Sequence, residues 1–236
     1  MEKTSIKFVC ISDTHTKTHN LTNLEGDVLI HAGDFSSTGH PEEVKNFNSF
    51  LGKLNFKHKI VIAGNHDLSF DTLNYESRLK KKFHRYHKNS EHWKSEEIKQ
   101  GLTNAIYLED SSIEIFGYKI YGSPWTPFFF DWGFNSDRGK IIRSIWDKIP
   151  LDTDILITHG PPHKILDKVE DGSDVGCEEL RDVVLNVVKP KYHIFGHIHE
   201  GYGIKEEGGV TFINASTCTS RYSPSNKPII FELPLK

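Results

Sequence analysis

The chain has 236 residues, of which 36% are hydrophobic and 26% charged, and its formal net charge is -3. This length suffices for one large domain with a substantial core, and both fractions are ordinary for a globular protein. This slightly acidic balance gives no overall basic character for sequence-independent nucleic-acid binding, and residues 78–88 (RLKKKFHRYHK), which we expect to be a solvated helix face, are the one concentrated basic run. Because no repeat or linker interrupts the sequence, we predict a single domain over residues 1–236.

Predicted strands and helices alternate along the chain. The strands are apolar runs that read as buried on both faces, at residues 6–12, 28–32, 59–63, 154–158 and 192–195. The helices carry apolar residues at helical spacing, at residues 41–55, 136–149 and 175–188. This alternation indicates a layered α/β fold with a largely parallel sheet.

Two stretches depart from that pattern. Residues 105–123 read as two or three short strands, and residues 208–216 and 228–234 are strand-like near the C-terminus. We expect these segments to form a second, mostly antiparallel sheet that packs against the first.

The cysteine and hydropathy patterns bear on the compartment. Cys10, Cys177 and Cys218 cannot all pair with one another and show no CxxC spacing. We therefore expect reduced thiols, which are typical of a reducing compartment. We also expect no signal peptide and no membrane span. The prediction is a cytoplasmic protein without a membrane partner, and its oligomeric state stays open.

Five short polar clusters adjoin the ends of predicted strands. They are Asp13-Thr14-His15, Gly33-Asp34, Gly64-Asn65-His66-Asp67, Thr158-His159-Gly160 and Gly196-His197-Ile198-His199. The functional crevice of an open α/β sheet lies beyond the carboxyl ends of its strands, so we expect these clusters to meet. The glycines allow close approach of the backbone. Carboxylate, amide and imidazole ligands together suit two divalent transition metals, which predicts a two-metal hydrolase of phosphate esters.

The order DxH, GD, GNHD, THG and GHxH resembles the signature of the calcineurin-like metallophosphoesterase superfamily. The segments THGPP, VGCEEL, FGHIHEGYG and INAST are similar to the metallophosphoesterase-domain-containing phosphodiesterases of animal brain and their microbial relatives. This resemblance implies a four-layer α/β/β/α sandwich, in which two mixed sheets are flanked by helices. It covers most of the chain and is weakest around residues 71–102.

The resemblance also implies roles for individual residues. One divalent ion would be held by Asp13, His15, Asp34 and His199, and a second by Asp34, Asn65, His159 and His197. His66 would be the general acid, while Asp67 would either orient His66 or cap the following segment. Some brain relatives carry glycine in place of His197, whereas this chain keeps the histidine. Manganese is the expected metal, with iron, zinc, cobalt and nickel as alternatives.

The implied reaction is hydrolysis of a small phosphodiester, such as a cyclic nucleotide, by attack of a metal-bridging hydroxide. Protein serine/threonine phosphatases continue the GD motif as GDxxDRG, whereas this chain continues it as FSSTG without the arginine or the second carboxylate. This argues against a phosphoprotein phosphatase and favours a small-molecule substrate, while the short and slightly acidic chain predicts no nucleic-acid partner. A phosphomonoesterase, a DNA exonuclease and a catalytically weak interaction scaffold are the alternatives.

Candidate substrate-binding residues lie in the loops. The aromatic run at 125–134 (WTPFFFDWGF) predicts either a wall of the cleft or core packing, with Trp125 nearest the cleft. His163 follows THGPP, and Tyr202 follows His199 between two glycines. We take Trp125, His163 and Tyr202 as candidates for contact with substrate.

Overall fold

Two β-sheets lie face to face between helices in the computed structural model, which describes residues 4–87 and 90–236. The strands are β1 (Ser5–Ile11), β2 (Val28–Ala32), β3 (His58–Ile62), β4 (Ile106–Tyr107), β5 (Ser111–Ile115), β6 (Tyr118–Ser123), β7 (Thr126–Pro127), β8 (Asn135–Ser136), β9 (Ile155–Thr158), β10 (Tyr192–Phe195), β11 (Gly203–Glu207), β12 (Val210–Asn214) and β13 (Ile229–Pro234). The α-helices are α1 (Pro41–Lys53), α2 (Thr72–Asn74), α3 (Lys80–Lys82), α4 (Ser95–Gln100), α5 (Lys140–Trp146) and α6 (Glu178–Asp182). Short 3₁₀ turns span Thr18–Asn20, Leu68–Phe70, Ser90–His92 and His199–Gly201, and π-helical turns span Tyr75–Leu79 and Val183–Val188.

Both large sheets are mixed. The first has the order β13-β1-β2-β3-β4, in which β1 to β4 are parallel and β13 is antiparallel at the edge. The second has the order β11-β12-β10-β9-β6-β5, with four parallel inner strands and an antiparallel strand at each edge. The predicted mostly antiparallel second sheet is therefore wrong, since β9 and β10 belong to that sheet. A strand buried on both faces suits either sheet equally, so its sequence does not say which one it joins.

Apolar side chains fill three interfaces. The central one lies between the sheets and includes Ile30, Ile60, Ile157 and Ile194. On the outer face of the first sheet, α1 buries Val44, Phe47 and Leu51. On the outer face of the second sheet, α5 and α6 bury Ile142, Trp146 and Leu180. This confirms the predicted sandwich of two sheets between helices.

Helix boundaries differ from the prediction where local features interrupt the pattern. The helix predicted at 136–149 begins only at Lys140, because Gly139 precedes it with φ 79° and Asn135–Ser136 pairs with β7. The helix predicted at 175–188 begins at Glu178, after Cys177 accepts the Leu180 N–H at its Sγ atom, and continues as a π-helical turn. Along the part of the chain that the structure describes, no helix combines the length and apolarity that a membrane crossing needs.

The two sheets meet at the edge where their parallel strands end. Ser12, just after β1, forms a parallel bridge with Ser216, just after β12. The His159 ring, at the end of β9, bonds the carbonyl of Ala32 at the end of β2 over 2.9 Å. The carboxyl ends of β1, β2, β3, β9 and β10 therefore face one common space.

Candidate metal centre

The five polar clusters converge on this common space in two groups of potential ligands. The first group is Asp13, His15 and His199, and the second is Asp34, His159 and His197. Within each group the ligand atoms lie within 4.8 Å of one another. Because each group combines imidazole with carboxylate, either could hold a divalent ion.

Asp34 connects the two groups. Its Oδ2 atom lies 3.3 Å from His159 Nε2 and 3.8 Å from His15 Nε2. Asn65 joins the second group, with Oδ1 3.0 Å from His159 Nε2, and His15 Nε2 lies 3.3 Å from His199 Nε2. The structure thus brings together the seven residues that the sequence indicated as ligands.

The backbone takes sharp turns at several of these residues. Asp13, His15, Asp34 and His197 have φ of 49°, 41°, 57° and 69°. Such left-handed conformations are rare for residues other than glycine, although Asp and His adopt them more often, and each costs about 1–3 kcal/mol. Hydrogen bonds between the loops hold them, including Asp13 N–H to the carbonyl of Gly33 at 2.9 Å.

Glycine is required beside the ligands, as the sequence predicted. Gly33 has φ 96°, and a Cβ atom there would lie 2.5 Å from His159 Nδ1. At Gly196 a Cβ atom would overlap the Asp13 carboxylate. A larger residue at either position would therefore displace a ligand.

The histidine rings are oriented for metal binding. His159 Nδ1 donates to the carbonyl of Ala32, and His199 Nδ1 donates to the carbonyl of Thr219, each over 2.9 Å. Because a carbonyl only accepts, Nδ1 carries a hydrogen in each ring, and Nε2 is the nitrogen that faces the carboxylates and is left for a cation. Metal-binding histidines have this arrangement, so the donor set fits a divalent cation.

The charges in the site depend on protonation. Burial lowers the pKa of His159, but the Asp34 carboxylate outweighs it and raises the value to about 9. Burial likewise lowers the pKa of His199, but the Asp13 carboxylate outweighs it and raises the value to about 9. Burial raises the pKa of Asp13 and Asp34, yet these histidines hold both well below the usual range. At neutral pH and without metal, His159 and His199 therefore each keep a proton on Nε2, the nitrogen that a cation would need.

Metal binding is consequently expected to release protons. At pH 7 His159 and His199 must each lose a proton for Nε2 to bind a cation, so about two protons leave as both groups fill. Metal affinity should rise as the pH increases from 6 and level off above about 9. Calorimetric titration of the metal-free protein with Mn²⁺, in buffers of different ionisation enthalpy, measures this release. Affinity independent of pH over that range would contradict it.

His66 lies next to the ligands and has its own partners. Its backbone N–H donates to Asp34 Oδ1 and its ring Nδ1 donates to the carbonyl of Ser37, each over 2.8 Å. The ring lies 4.1 Å from the Trp132 ring at an angle of 33°. His15, Asp34 and His66 also lie close enough to share an ion. The Ser37 carbonyl is thus the partner of the His66 ring, for which the sequence showed no partner carboxylate.

Asp67 ties two loops together. Its carboxylate accepts the backbone N–H groups of Asp34 and Ser36 at 2.9 Å and of Gly64 at 2.8 Å. These bonds join the loop after β2 to the loop after β3. Both expected roles, orienting the His66 ring and capping the next segment, are wrong, because the carboxylate turns toward these backbone donors.

Two cavities border the candidate metal centre. The first cavity measures about 520 Å³ and is lined by ligand residues together with Phe128, Phe129 and Arg138. The second cavity measures about 490 Å³ and lies beside His15, Lys17 and Trp132. His66 and Tyr222 line both cavities.

The three candidate substrate residues line neither cavity. The Trp125 indole donates to Asp110 Oδ2 at 3.2 Å, and the Tyr202 hydroxyl donates to the carbonyl of Lys227 at 2.8 Å. The His163 ring lies beside Asp167, with Nδ1 3.7 Å from Oδ2. The structure therefore places these side chains against neighbouring loops.

Other residues line the cavities instead. The Tyr222 ring lies 4.8 Å from the His15 ring and 5.2 Å from the His199 ring. Arg138 donates to the carbonyls of Val175 and Gly176, each over 2.8 Å, which holds its guanidinium at the first cavity. The aromatic run at 125–134 signalled Phe128 and Phe129, but no local signal pointed to Tyr222 or Arg138.

Comparison with known proteins agrees with this geometry. The model of the family described as calcineurin-like phosphoesterase matches residues 6–201. Human metallophosphoesterase domain-containing protein 1 is 49% identical over 233 residues, which cover 97% of this chain and 71% of the human protein. A UPF0046 protein of Caenorhabditis elegans is 44% identical over 241 residues, covering 98% of this chain and 60% of that protein. The solved structure of GAP50, the anchor in the inner membrane complex of Plasmodium, is similar in fold, with TM-score 0.50 at 11% identity and coverage of 98% of this chain and 82% of that one.

Proposed function

Since the chain belongs to the calcineurin-like phosphoesterase family and is thereby a metal-dependent phosphoesterase, we propose that it hydrolyses small phosphodiesters. Acyclic nucleotide diesters are the leading substrate class, and cyclic nucleotides, whose two ester oxygens belong to one ribose, are the alternative. We further propose that Mn²⁺ is the preferred metal.

The arrangement of the two cavities supports a diester most directly. His66 lines both of them, so a phosphorus atom beside His66 can direct one substituent into each. An acyclic diester has two separate substituents, whereas a monoester has one and a cyclic diester joins both ester oxygens in a single ring. Their volumes of about 520 and 490 Å³ each fall within the 300–1,000 Å³ typical of small-molecule sites.

Seven residues would hold the metals. Asp13, His15 and His199 would bind one ion, and Asn65, His159 and His197 the other, with Asp34 shared between them. Divalent cations bound there neutralise phosphate charge and acidify a water molecule.

His66 would deliver a proton to the leaving group. Its Nδ1–H is committed to the Ser37 carbonyl at 2.8 Å, so Nε2 is the nitrogen that can carry a proton to the departing oxygen. Trp132 packs against the same ring and limits its rotation. General acid catalysis of this kind contributes about 10²–10⁴-fold to the rate.

The test pairs metal analysis with a comparison of substrates. Protein loaded with Mn²⁺, and separately with Co²⁺, Ni²⁺, Zn²⁺ or Mg²⁺, is assayed with bis-p-nitrophenyl phosphate and with p-nitrophenyl phosphate. We expect about two metals per chain and a higher kcat/KM for the diester, with the highest value in Mn²⁺.

Three other results would each replace the proposal with a defined alternative. A higher kcat/KM for the monoester would indicate a phosphomonoesterase. Faster cleavage of duplex DNA ends than of small diesters would indicate a nuclease. Stoichiometric metal without turnover of any ester would indicate a binding scaffold.

A further inference from the structure

The second cavity has an aromatic wall that begins at His66. Trp132 lies against the His66 ring at 4.1 Å, and Phe83 lies 4.6 Å from Trp132. Tyr86 and Tyr222 line the same cavity and are 67% and 43% exposed. Their exposed ring surface is therefore available to a ligand.

Polar groups border the same cavity. The polar residues that line it alongside the aromatic rings are Thr16, Lys17, Ser37, Thr38, His40 and Glu43. Lys17 Nζ donates to the carbonyl of Tyr222 at 2.5 Å, which holds the Tyr222 loop beside the cavity. Aromatic faces with hydrogen-bonding groups around them suit a flat ring that has polar edges, and a nucleobase is such a ring.

From this arrangement we infer that the second cavity binds a nucleoside as the leaving group of the phosphodiester. This inference rests on the proposed function. With the phosphorus in the first cavity, the oxygen that departs is the one beside His66, and the group it carries extends into the second cavity. The oxygen of water bonds to phosphorus, the phosphorus–oxygen bond to the nucleoside breaks, and the departing oxygen takes a proton from His66. The proton that the water loses passes to solvent, from which His66 is reprotonated. The products are a nucleoside and a phosphate monoester.

A nucleoside bound in the second cavity determines which of the two ester bonds is cleaved. Adenosine 5′-methyl phosphate can release either adenosine and methyl phosphate, or methanol and AMP. We expect adenosine and methyl phosphate from the Mn²⁺-loaded protein, with the products separated by chromatography. Predominant release of methanol would place the nucleoside in the first cavity and overturn the inference, while leaving the phosphodiesterase function intact.

A second measurement does not depend on catalysis. Adenosine is titrated into the metal-free protein, and binding is followed by ligand-observed NMR. Because stacking on one aromatic ring contributes about 1–3 kcal/mol, Tyr86→Ala should weaken adenosine binding by at least about fivefold. Leu151→Ala is the control for loss of an exposed apolar side chain, since Leu151 is 72% exposed and lines neither cavity; it should leave both binding and activity unchanged.

The two measurements separate the possible failures. Adenosine binding that requires Tyr86, without hydrolysis of any diester, would uphold the nucleoside site and contradict the proposed function. Equal binding by Tyr86→Ala and the unaltered protein would overturn the inference, as would no detectable binding of adenosine.

Discussion

Replacing His66 with alanine is expected to lower kcat for a phosphodiester by about 10²–10⁴-fold while about two metals stay bound. The reason is that His66 lines both cavities and its Nδ1 is committed to the Ser37 carbonyl, so Nε2 is the nitrogen that would serve the leaving oxygen. The loss should be larger for a poor leaving group, such as an alkoxide, than for p-nitrophenolate, which departs with less help from an acid. Steady-state kinetics with both kinds of diester, alongside metal analysis, measure this difference.

Two outcomes would contradict a general acid at His66. A fall in bound metal would show that this residue is a ligand, which its position near His15 and Asp34 also permits. An equal loss with good and poor leaving groups would remove the proton-transfer role. His84→Ala is the matched control, because His84 is exposed and bonds only the nearby Lys81 carbonyl among the contacts described for its ring.

Asp34→Asn is expected to abolish turnover and to weaken binding at both metal positions. The Asp34 carboxylate lies between the two groups of ligands, 3.3 Å from His159 Nε2 and 3.8 Å from His15 Nε2. Removing its charge takes a ligand from each ion at once. Residues that only hydrogen-bond a metal ligand contribute about 10–100-fold to metal affinity, so a carboxylate that binds both ions should contribute at least that much. Equilibrium dialysis with Mn²⁺ measures the loss.

Asparagine is the suitable replacement because it keeps the fold. Asp34 has φ 57°, a conformation that asparagine tolerates better than alanine, and the amide oxygen can still accept the His66 N–H. Circular dichroism should therefore match that of the unaltered protein. Asp137→Asn, at an exposed carboxylate, is the control for loss of one negative charge. If Asp34→Asn kept two tightly bound metals, a shared role for this carboxylate would be wrong.

The metal-binding side of the site could be predicted from sequence because its residues are tied to strands. Each polar cluster adjoins the end of a buried strand, and buried strands have a strong local signal. Parallel strands end at one edge, so side chains distant in the chain are brought together. The resemblance to a known family then assigned the ligands, and the structure groups all seven.

The substrate side could not be predicted in the same way. Trp125 and Tyr202 had plausible positions in the chain, but Asp110 and the Lys227 carbonyl hold their polar atoms elsewhere. Tyr222 reaches the site because Lys17, far from it in sequence, bonds its carbonyl. Such placements depend on contacts between loops, for which neither periodicity nor local spacing provides a signal.

The sequence by itself determined the α/β class and the positions of the buried strands through local apolar patterning, and the order of its motifs, through the family resemblance, indicated the set of candidate metal ligands. Only the tertiary structure decided how the strands divide between the sheets, because a strand buried on both faces fits either one. It also decided that His66 relies on a backbone carbonyl and lines both cavities. Those features arise where loops from both sheets meet, and their free energy comes from contacts between residues remote in the chain.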